Sequence, residues 1–367
     1  MLTTFLVSVG VMCGISGVLA VMMVIADATI ASYGEVVITI NNEKKITAEG
    51  GRSLLSTLGD NKIFIPSACG GRGSCGLCKV KVLKGAGDIL PTELPWLSKE
   101  ERENNIRLSC QCKVKQDFEI EIPPELFSIR EYQAEVEKIR DLTHDIKELT
   151  LKLLEPDQIE FTSGQFIQFQ VPIYELTDES VYRAYSMASP SYVKDRIQLE
   201  IRYVPNGICT TYVFKHLKEK DKVTINGPYG DFFVRDTKRE IIMIAGGSGM
   251  APIRSILMGM AKEGNSRRAR YFFGARSKQD LFLTEEMKKL EEELPGFKFI
   301  PALSQPLPED NWDGETGLIT DVVARHMETG DNTEAYLCGS PGMIDACIKV
   351  LTGKGVPEDL IYYDKFG

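Results

Sequence analysis

The sequence predicts a multidomain α+β and α/β chain. It reads as one apolar N-terminal helix, a small domain built around a cysteine loop, an antiparallel β-barrel and a doubly wound α/β domain. Three observations carry this. Leu2 to Ala26 is a run of 25 residues without a charge. Four cysteines follow in the spacing C-x5-C-x2-C-x31-C, at Cys69, Cys75, Cys78 and Cys110. From residue 236 onward, short apolar runs alternate with helical patterns, as in a parallel sheet with crossover helices. The divisions this implies are 1–28, 34–125, 130–235 and 236–367.

The bulk numbers exclude some classes. A length of 367 residues suits two or three globular domains beyond a membrane segment. A net charge of −9 gives a nucleic-acid partner no electrostatic support. Nine cysteines, four of them clustered, suit reduced thiols and metal ligation better than a disulfide framework.

At ~1.5 Å per residue the N-terminal run exceeds the ~30 Å hydrocarbon core of a bilayer. A buried core helix is the plain alternative. A cleaved signal peptide is the other, because Ala26-Asp27-Ala28 has the A-x-A form. Against cleavage, no Lys or Arg precedes the run, which outlasts the usual apolar stretch of a signal. The first positive residues, Lys44 and Lys45, follow it, which places the bulk of the chain in the cytoplasm. Gly10, Gly14 and Gly17 give the helix a small-residue face that another helix could approach.

Glu35–Ile40, Asn41-Asn42 and Lys45–Ala48 read as a hairpin, and Arg52–Leu58 as a short helix. Between Cys69 and Cys78 lie glycines at 70, 71, 73 and 76. They tolerate positive φ and leave backbone N–H groups free to face sulfur. Four thiolates in this pattern suit a [2Fe–2S] cluster, with one residue more than the plant-type loop. A structural zinc site is the alternative, but zinc ribbons usually carry two C-x2-C knuckles and this chain has one. Cys112 competes with Cys110 as fourth ligand, since on a strand both would face one side. Position relative to the ferredoxin pattern favours Cys110.

Ala134–Ile139, Ile146–Leu153 and Gln165–Val171 alternate as barrel strands, followed by Tyr182-Arg183-Ala184-Tyr185-Ser186. Asn206-Gly207 and Thr210-Thr211 precede a helical pattern over Tyr212–Leu217, a local anion site. Asn226–Phe233 reads as a turn and strand exit. Glu240–Ala245 is a buried parallel strand, and Gly246-Gly247-Ser-Gly249-Met-Ala251-Pro252 then opens a helix over Ile253–Lys262. Strand, glycine turn and helix make a phosphate cradle. The fit to G-x-G-x-x-G is imperfect: Pro252 holds the third position, and no acid ends the strand Arg270–Gly274. The crevice is expected near Gly246, Gly274 and Cys338-Gly339, where Cys338 could equally be a small buried hydrophobe.

Arg183-x-Tyr185-Ser186, Gly246-Gly247-x-Gly249, Gly274-Ala-Arg276-Ser277 and Cys338-Gly339 together resemble the ferredoxin–NADP+ reductase superfamily. The apolar helix, the Cys69-x5-Cys75 loop, Pro308–Gly314 and Tyr362–Gly367 are similar to the F subunits of sodium-translocating NADH:quinone reductases. That resemblance implies a β-grasp ferredoxin domain, an FAD barrel and an NADH domain. It implies FAD, a [2Fe–2S] cluster and NADH as cofactors and substrate. It also implies a bacterial inner-membrane location, single-pass, and partner membrane subunits that reduce ubiquinone and move sodium. By the same resemblance, Arg183 binds the FAD pyrophosphate, Tyr185 stacks on the flavin, and Ser186 bonds near its N5. Gly207, Thr210 and Thr211 cap phosphates, and Cys338 lies beside the nicotinamide. Phe366 covers the other flavin face until nicotinamide displaces it. Gly247, Gly249, Arg276 and Gly339 complete the nucleotide set. The segment Glu175–Ser180 is shorter than the family's usual insertion.

NADH delivers two electrons as hydride and a [2Fe–2S] cluster accepts one, so a flavin must stand between them. Two rivals share parts of the pattern: a soluble oxygenase reductase with the same cofactors, and a zinc-stabilised, non-enzymatic anchored module. Arg276 and Lys278 leave NADH against NADPH open.

Overall fold

The computed structural model describes residues 2–30 and 33–366, and the side chains of all of these except 2–6, 8 and 24–30. The Ala26-Asp27-Ala28 motif therefore lies outside the described side chains. The chain divides into two compact units, Met1–Ile65 with Gly71–Ser128, and Pro66–Gly70 with Ile129–Gly367.

The first unit opens with helix α1 (Leu2–Ile30). Every described side chain on it is exposed, and a methyl group at Gly10, Gly14 or Gly17 would meet nothing within 4 Å. Among the residues whose side chains are described, which leave out both ends of α1, no helix is long and apolar enough to cross a membrane. Next come strands β1 (Glu35–Ile40) and β2 (Lys44–Glu49), then α2 (Leu54–Asp60). After the cysteine loop come β3 (Lys79–Lys84), α3 (Lys99–Glu103), β4 (Ile106–Leu108) and β5 (Phe118–Glu121). The sheet order is β2-β1-β5-β3-β4, with β1 and β5 parallel and the other pairs antiparallel. Alternation along β1 sends Val36, Ile38 and Ile40 into a core with Leu54 and Leu58 of α2. Ser53 caps α2, its hydroxyl accepting from Ser56 N–H at 3.2 Å.

One buried ion pair fixes the excursion between β3 and β4. Arg107 donates to both oxygens of Glu93, with side chains 4% and 0% exposed. Burial pushes the Glu93 carboxyl up. Hydrogen bonds from Arg107 and the backbone N–H groups of Leu90 and Leu108 outweigh it and hold the acid below its ordinary value of 4.5. Glu93 thus adds stability above about pH 4.5 that is lost as pH falls through its lower folded value. Glu93→Ala leaves the guanidinium buried and unpaired, and thermal melts at neutral pH should show a loss of about 3–5 kcal/mol for this unit. The deficit should shrink below pH 4.

In the second unit, β6 (Arg130–Asp141), β7 (Ile146–Glu155), β8 (Phe166–Val171), β9 (Val181–Ser186), β10 (Arg196–Arg202) and β11 (Lys222–Tyr229) form one antiparallel sheet. Its order is β10-β7-β6-β11-β8-β9, and the bridge Met187↔Leu199 links its two edges. Helix α4 (Ile208–Lys215) packs beside it, beginning four residues before the expected start. β11 runs through Asn226-Gly-Pro, where the sequence suggested a turn: the strand continues because Asn226 still pairs with both Gln168 and Glu131.

The α/β part contains β12 (Glu240–Gly246), α5 (Met250–Lys262), β13 (Ala269–Ala275), α6 (Thr284–Glu293) and β14 (Phe297–Leu303). It continues with β15 (Glu315–Thr316), α7 (Ile319–His326), β16 (Thr333–Gly339), α8 (Pro341–Gly353) and β17 (Ile361–Lys365). All six strands are parallel, in the order β15-β14-β13-β12-β16-β17. Ile241, Met243 and Ala245 of β12 face a core with α5 and α6, while Ile242 and Ile244 face one with α7 and α8. A strand buried on both faces reads as the continuous apolar run seen in the sequence.

Candidate functional site

The strand order reverses between β12 and β16, and their carboxyl ends form the crevice. A tight turn at Gly247–Gly249 leads directly into α5. Space is minimal here: a Cβ on Gly249 would lie 2.3 Å from the Cys338 carbonyl oxygen, and one on Gly246 would lie 3.2 Å from that of Gly274. Gly247 has φ +57°, the left-handed region that glycine tolerates. The helix N-terminus offers N–H groups and positive dipole at this turn.

Cys338 pairs in register with Ala245 and Asp364, and its side chain is fully buried. Burial raises its thiol well above the ordinary value, and Asp364 adds to this. Phe366 N–H donates to the Gly339 carbonyl at 2.8 Å, which holds the C-terminal aromatic over the end of β16. Gly274 lies against α7: a methyl added there would stand 3.1 Å from Ile319 Cβ. Arg276 is exposed and donates to Gln305 at 2.8 Å. Lys278 is tied through Nζ to the Asp310 carbonyl at 3.0 Å.

The barrel carries a second group of residues. Asn226, Gln168 and Ala184 stand side by side across β11, β8 and β9, and Ser186 follows Ala184 by two. Asn226 and Ser186 therefore share one face of the sheet. Among the described residues, Ser186 Oγ, Thr211 Oγ1 and Asn226 Nδ2 are buried without a hydrogen-bond partner. Buried polar groups normally find partners, so three such atoms on neighbouring barrel elements mark a place for a polar ligand. Asn226 escaped the sequence reading because Gly227-Pro228 made its strand look like a turn.

Tyr185 donates to the Cys209 thiol, and burial raises that thiol to about 12 despite this bond. Arg183 Nη1 donates to the Tyr182 carbonyl at 2.8 Å. Gly207 caps α4. Thr210 does not face outward as a free cap. Its hydroxyl bonds Val204 N–H at 3.1 Å and the Val204 carbonyl at 3.0 Å, closing the loop before α4.

In the cysteine loop, glycines 70, 71, 73 and 76 all have positive φ, as a loop wrapping closely around a ligand requires. Cys78 and Cys110 are buried within hydrogen-bond reach of one another, and that contact together with burial raises the Cys78 thiol far above its ordinary value. Gln111 Nε2 lies 3.5 Å from Cys110 Sγ. Among the described residues no three His, Cys, Asp or Glu side chains already converge on one point. The donor set, three thiols on a glycine loop and a fourth at Cys110 after β4, fits an iron–sulfur cluster better than a hard cation. Cys110 and Cys112 do not lie on a strand as expected. β4 stops at Leu108, and Gln111 and Cys112 N–H groups turn back onto the Leu108 carbonyl. Cys112 is buried beside Arg107 and Cys110, and its thiol is raised to about 12, chiefly by burial.

Three family matches tile the chain. Residues 38–115 match the 2Fe-2S iron-sulfur cluster binding domain, 133–234 the oxidoreductase FAD-binding domain, and 243–349 the oxidoreductase NAD-binding domain. The F subunit of the Na(+)-translocating NADH-quinone reductase of Neisseria meningitidis serogroup B is 40% identical, covering 95% of this chain and 96% of the relative. That of Actinobacillus succinogenes is 39% identical over 100% and 99%. The chain belongs to the family of F subunits of Na(+)-translocating NADH-quinone reductases. Among solved structures, the cytochrome P450 reductase of Amycolatopsis superposes with TM-score 0.72 at 27% identity, over 90% of this chain and 98% of that one. A ferredoxin reductase in carbazole 1,9a-dioxygenase gives 0.70 at 29%, over 91% and 98%. As a member of this F-type family, the chain carries all three cofactor domains.

Proposed function

We propose that this chain is the electron-input subunit of a membrane NADH:quinone oxidoreductase of the sodium-translocating type. The observation that carries it is the trio of unpartnered buried groups, Ser186, Thr211 and Asn226, in a barrel of FAD-binding type beside a glycine turn of NAD-binding type. When bound, FAD would supply two-electron acceptance from NADH and one-electron release towards a [2Fe–2S] cluster.

The residues supply position. Arg183 neutralises the pyrophosphate, and Gly207, Thr210 and Thr211 bring α4's start to the phosphates. Thr211 is the better hydroxyl donor, because that of Thr210 is already engaged. Tyr185, held by Cys209, would offer a flat platform to the flavin ring, and the unpartnered Ser186 hydroxyl would donate to its polar edge. Gly246, Gly247, Gly249, Gly274, Arg276 and Gly339 line the NADH crevice. Cys338 would adjoin the nicotinamide, and Phe366 would shield the flavin when NADH is not bound. Lys278 is occupied by Asp310, which supports NADH over NADPH. Cys69, Cys75, Cys78 and Cys110 hold the cluster. Helix α1 anchors the chain as a single pass in the bacterial cell membrane with its domains cytoplasmic. The uncharged run Leu2–Ala26 and the exposed Val11, Met12, Ile15 and Val18 support this. Quinone reduction and the sodium path belong to partner subunits, since one helix cannot enclose a path.

The fold likeness to a cytochrome P450 reductase keeps an oxygenase reductase as the second reading. The 40% identity to a quinone reductase chain, against 27% there, favours the first. Full-length protein in detergent should be brown-yellow, its flavin should bleach with NADH, and a reduced [2Fe–2S] signal should appear by EPR. A colourless protein after FAD and cluster reconstitution overturns the reading. Ser186→Ala should slow NADH-driven flavin bleaching, read by stopped flow, by roughly tenfold or more while FAD stays bound.

A further inference from the structure

An acid without a hydrogen bond lies buried between the barrel and the nucleotide sheet. Glu200 stands on β10 with its side chain 0% exposed, and neither carboxyl oxygen has a hydrogen-bond partner. Arg254 of α5 reaches it only at 3.9 Å. That guanidinium is already committed. Nη1 donates to Glu148 Oε2 on β7 at 3.1 Å and to Gln198 Oε1 at 3.2 Å, and Nε and Nη2 grip the two oxygens of Glu286 on α6. Arg140 of β6 balances the other oxygen of Glu148 at 3.0 Å. Tyr271 of β13 and Cys338 of β16 are the remaining titratable groups within electrostatic reach.

A carboxylate here would have no donor of its own and would share one cation with two other acids. Burial raises Glu200 to about 8. Arg254 pulls it down, Glu148 and Glu286 push it further up, and Arg140 offsets part of this. We propose that Glu200 is the proton-sensitive element of a latch between the flavin barrel and the nucleotide domain. As a neutral acid it leaves Arg254 free to hold Glu148 and Glu286 together. As a carboxylate it competes for Arg254 and loosens the seam. The consequence for hydride transfer rests on the function proposed above, whereas the latch does not. Arg254 lies five residues beyond Gly249 on the helix that follows the glycine turn, and Gly247 of that turn lies against Arg202 of β10, 3.3 Å from a methyl to Nη1. Loosening the seam therefore moves the turn relative to the barrel, and a shift near 1 Å is enough to slow transfer by about a hundredfold.

The sign follows from a folded value raised above the ordinary 4.5. The stabilising contribution of the neutral acid is full below about pH 4.5 and is lost as pH rises to about 8. With the full-length flavoprotein, the melting temperature of Glu200→Gln should gain on native from about pH 5 to about pH 8 and then run parallel, by roughly 5 °C in all. The infrared spectrum of native protein at pH 7 should show a buried carboxylic-acid carbonyl band that fades through about pH 8 and is missing in Glu200→Gln. The rate of NADH-driven flavin bleaching should fall about tenfold between pH 7 and 9.5 in native protein and stay within about twofold in Glu200→Gln. Should Glu200→Gln fail to fold, Glu148→Gln serves instead: it frees Arg254 for Glu200, so the infrared and kinetic breaks move to lower pH. A native protein lacking the band at pH 7, an alkaline fall unchanged in Glu200→Gln, or breaks unmoved in Glu148→Gln overturns the latch. If native protein oxidises no NADH, the functional reading fails while the infrared and melting titrations still decide the latch.

Discussion

With Cys78 replaced by alanine, NADH still bleaches the flavin at a rate within about twofold of native, while electron delivery beyond the flavin falls at least about a hundredfold. The separation follows from where the parts sit in the chain. The residues proposed to hold the flavin, Arg183, Tyr185, Ser186 and Thr211, lie on β9 and α4, in a unit with its own core. Cys78 belongs to the other unit, 1% exposed and in contact with Cys110. Alanine removes one of the four thiolates proposed to hold the cluster, and the three that remain cannot enclose both irons. Stopped-flow absorbance reads the first step. Quinone reduction by the variant assembled with its membrane partners, together with EPR for the cluster, reads the second. A folded, FAD-loaded variant that no longer bleaches would contradict the order of carriers. A variant with full quinone reduction would remove Cys78 from the path. Cys112→Ala is the internal control. Its thiol packs in the core beside Arg107, so it should keep the EPR signal and cost stability only, about 1 kcal/mol.

Local pattern made most of the fold legible. Ile241 to Ala245 announced a strand buried on both faces, and the structure divides those side chains between two cores. The β1 alternation and the glycine turn before α5 were equally plain, because each depends on residues adjacent in sequence. What the sequence concealed depends on distant partners. Asn226 looks like part of a turn until β6 and β8 are seen to flank it. The placement of Cys110 and Cys112 failed for a related reason. Their spacing of two suggests two residues on one face of a strand, yet β4 stops at Leu108 and the chain folds back onto the Leu108 carbonyl. The cluster of Arg254, Glu148, Glu200 and Glu286 was invisible, since four elements contribute one residue each and none carries a motif. Charged residues at those positions read as surface, and only tertiary burial makes them costly.

Gly249→Ala should raise the KM for NADH at least about a hundredfold, with FAD and cluster content unchanged. Gly249 has φ −62°, so backbone conformation does not demand glycine there. Space does. The new Cβ would lie 2.3 Å from the Cys338 carbonyl oxygen and 2.7 Å from its carbon, where no flexible side chain can yield. Either the turn lifts off β16 or β16 moves, and β16 is a central strand paired on both sides to β12 and β17. The turn therefore gives way, and with it the N–H groups at the start of α5 that face the crevice. Reduction by dithionite, which needs no binding site, should be as fast as in native protein. Bleaching by NADH should slow and should recover only in part at saturating NADH. Gly342→Ala gives the comparison. It lies in the first turn of α8, a methyl there meets nothing within 4 Å, and KM should stay within about twofold of native. Native-like NADH affinity in a folded Gly249→Ala protein would mean that the dinucleotide does not use this turn. The phosphate cradle would then have to lie elsewhere along the strand ends, with Gly339 and Ser340 at the start of α8 the nearest alternative.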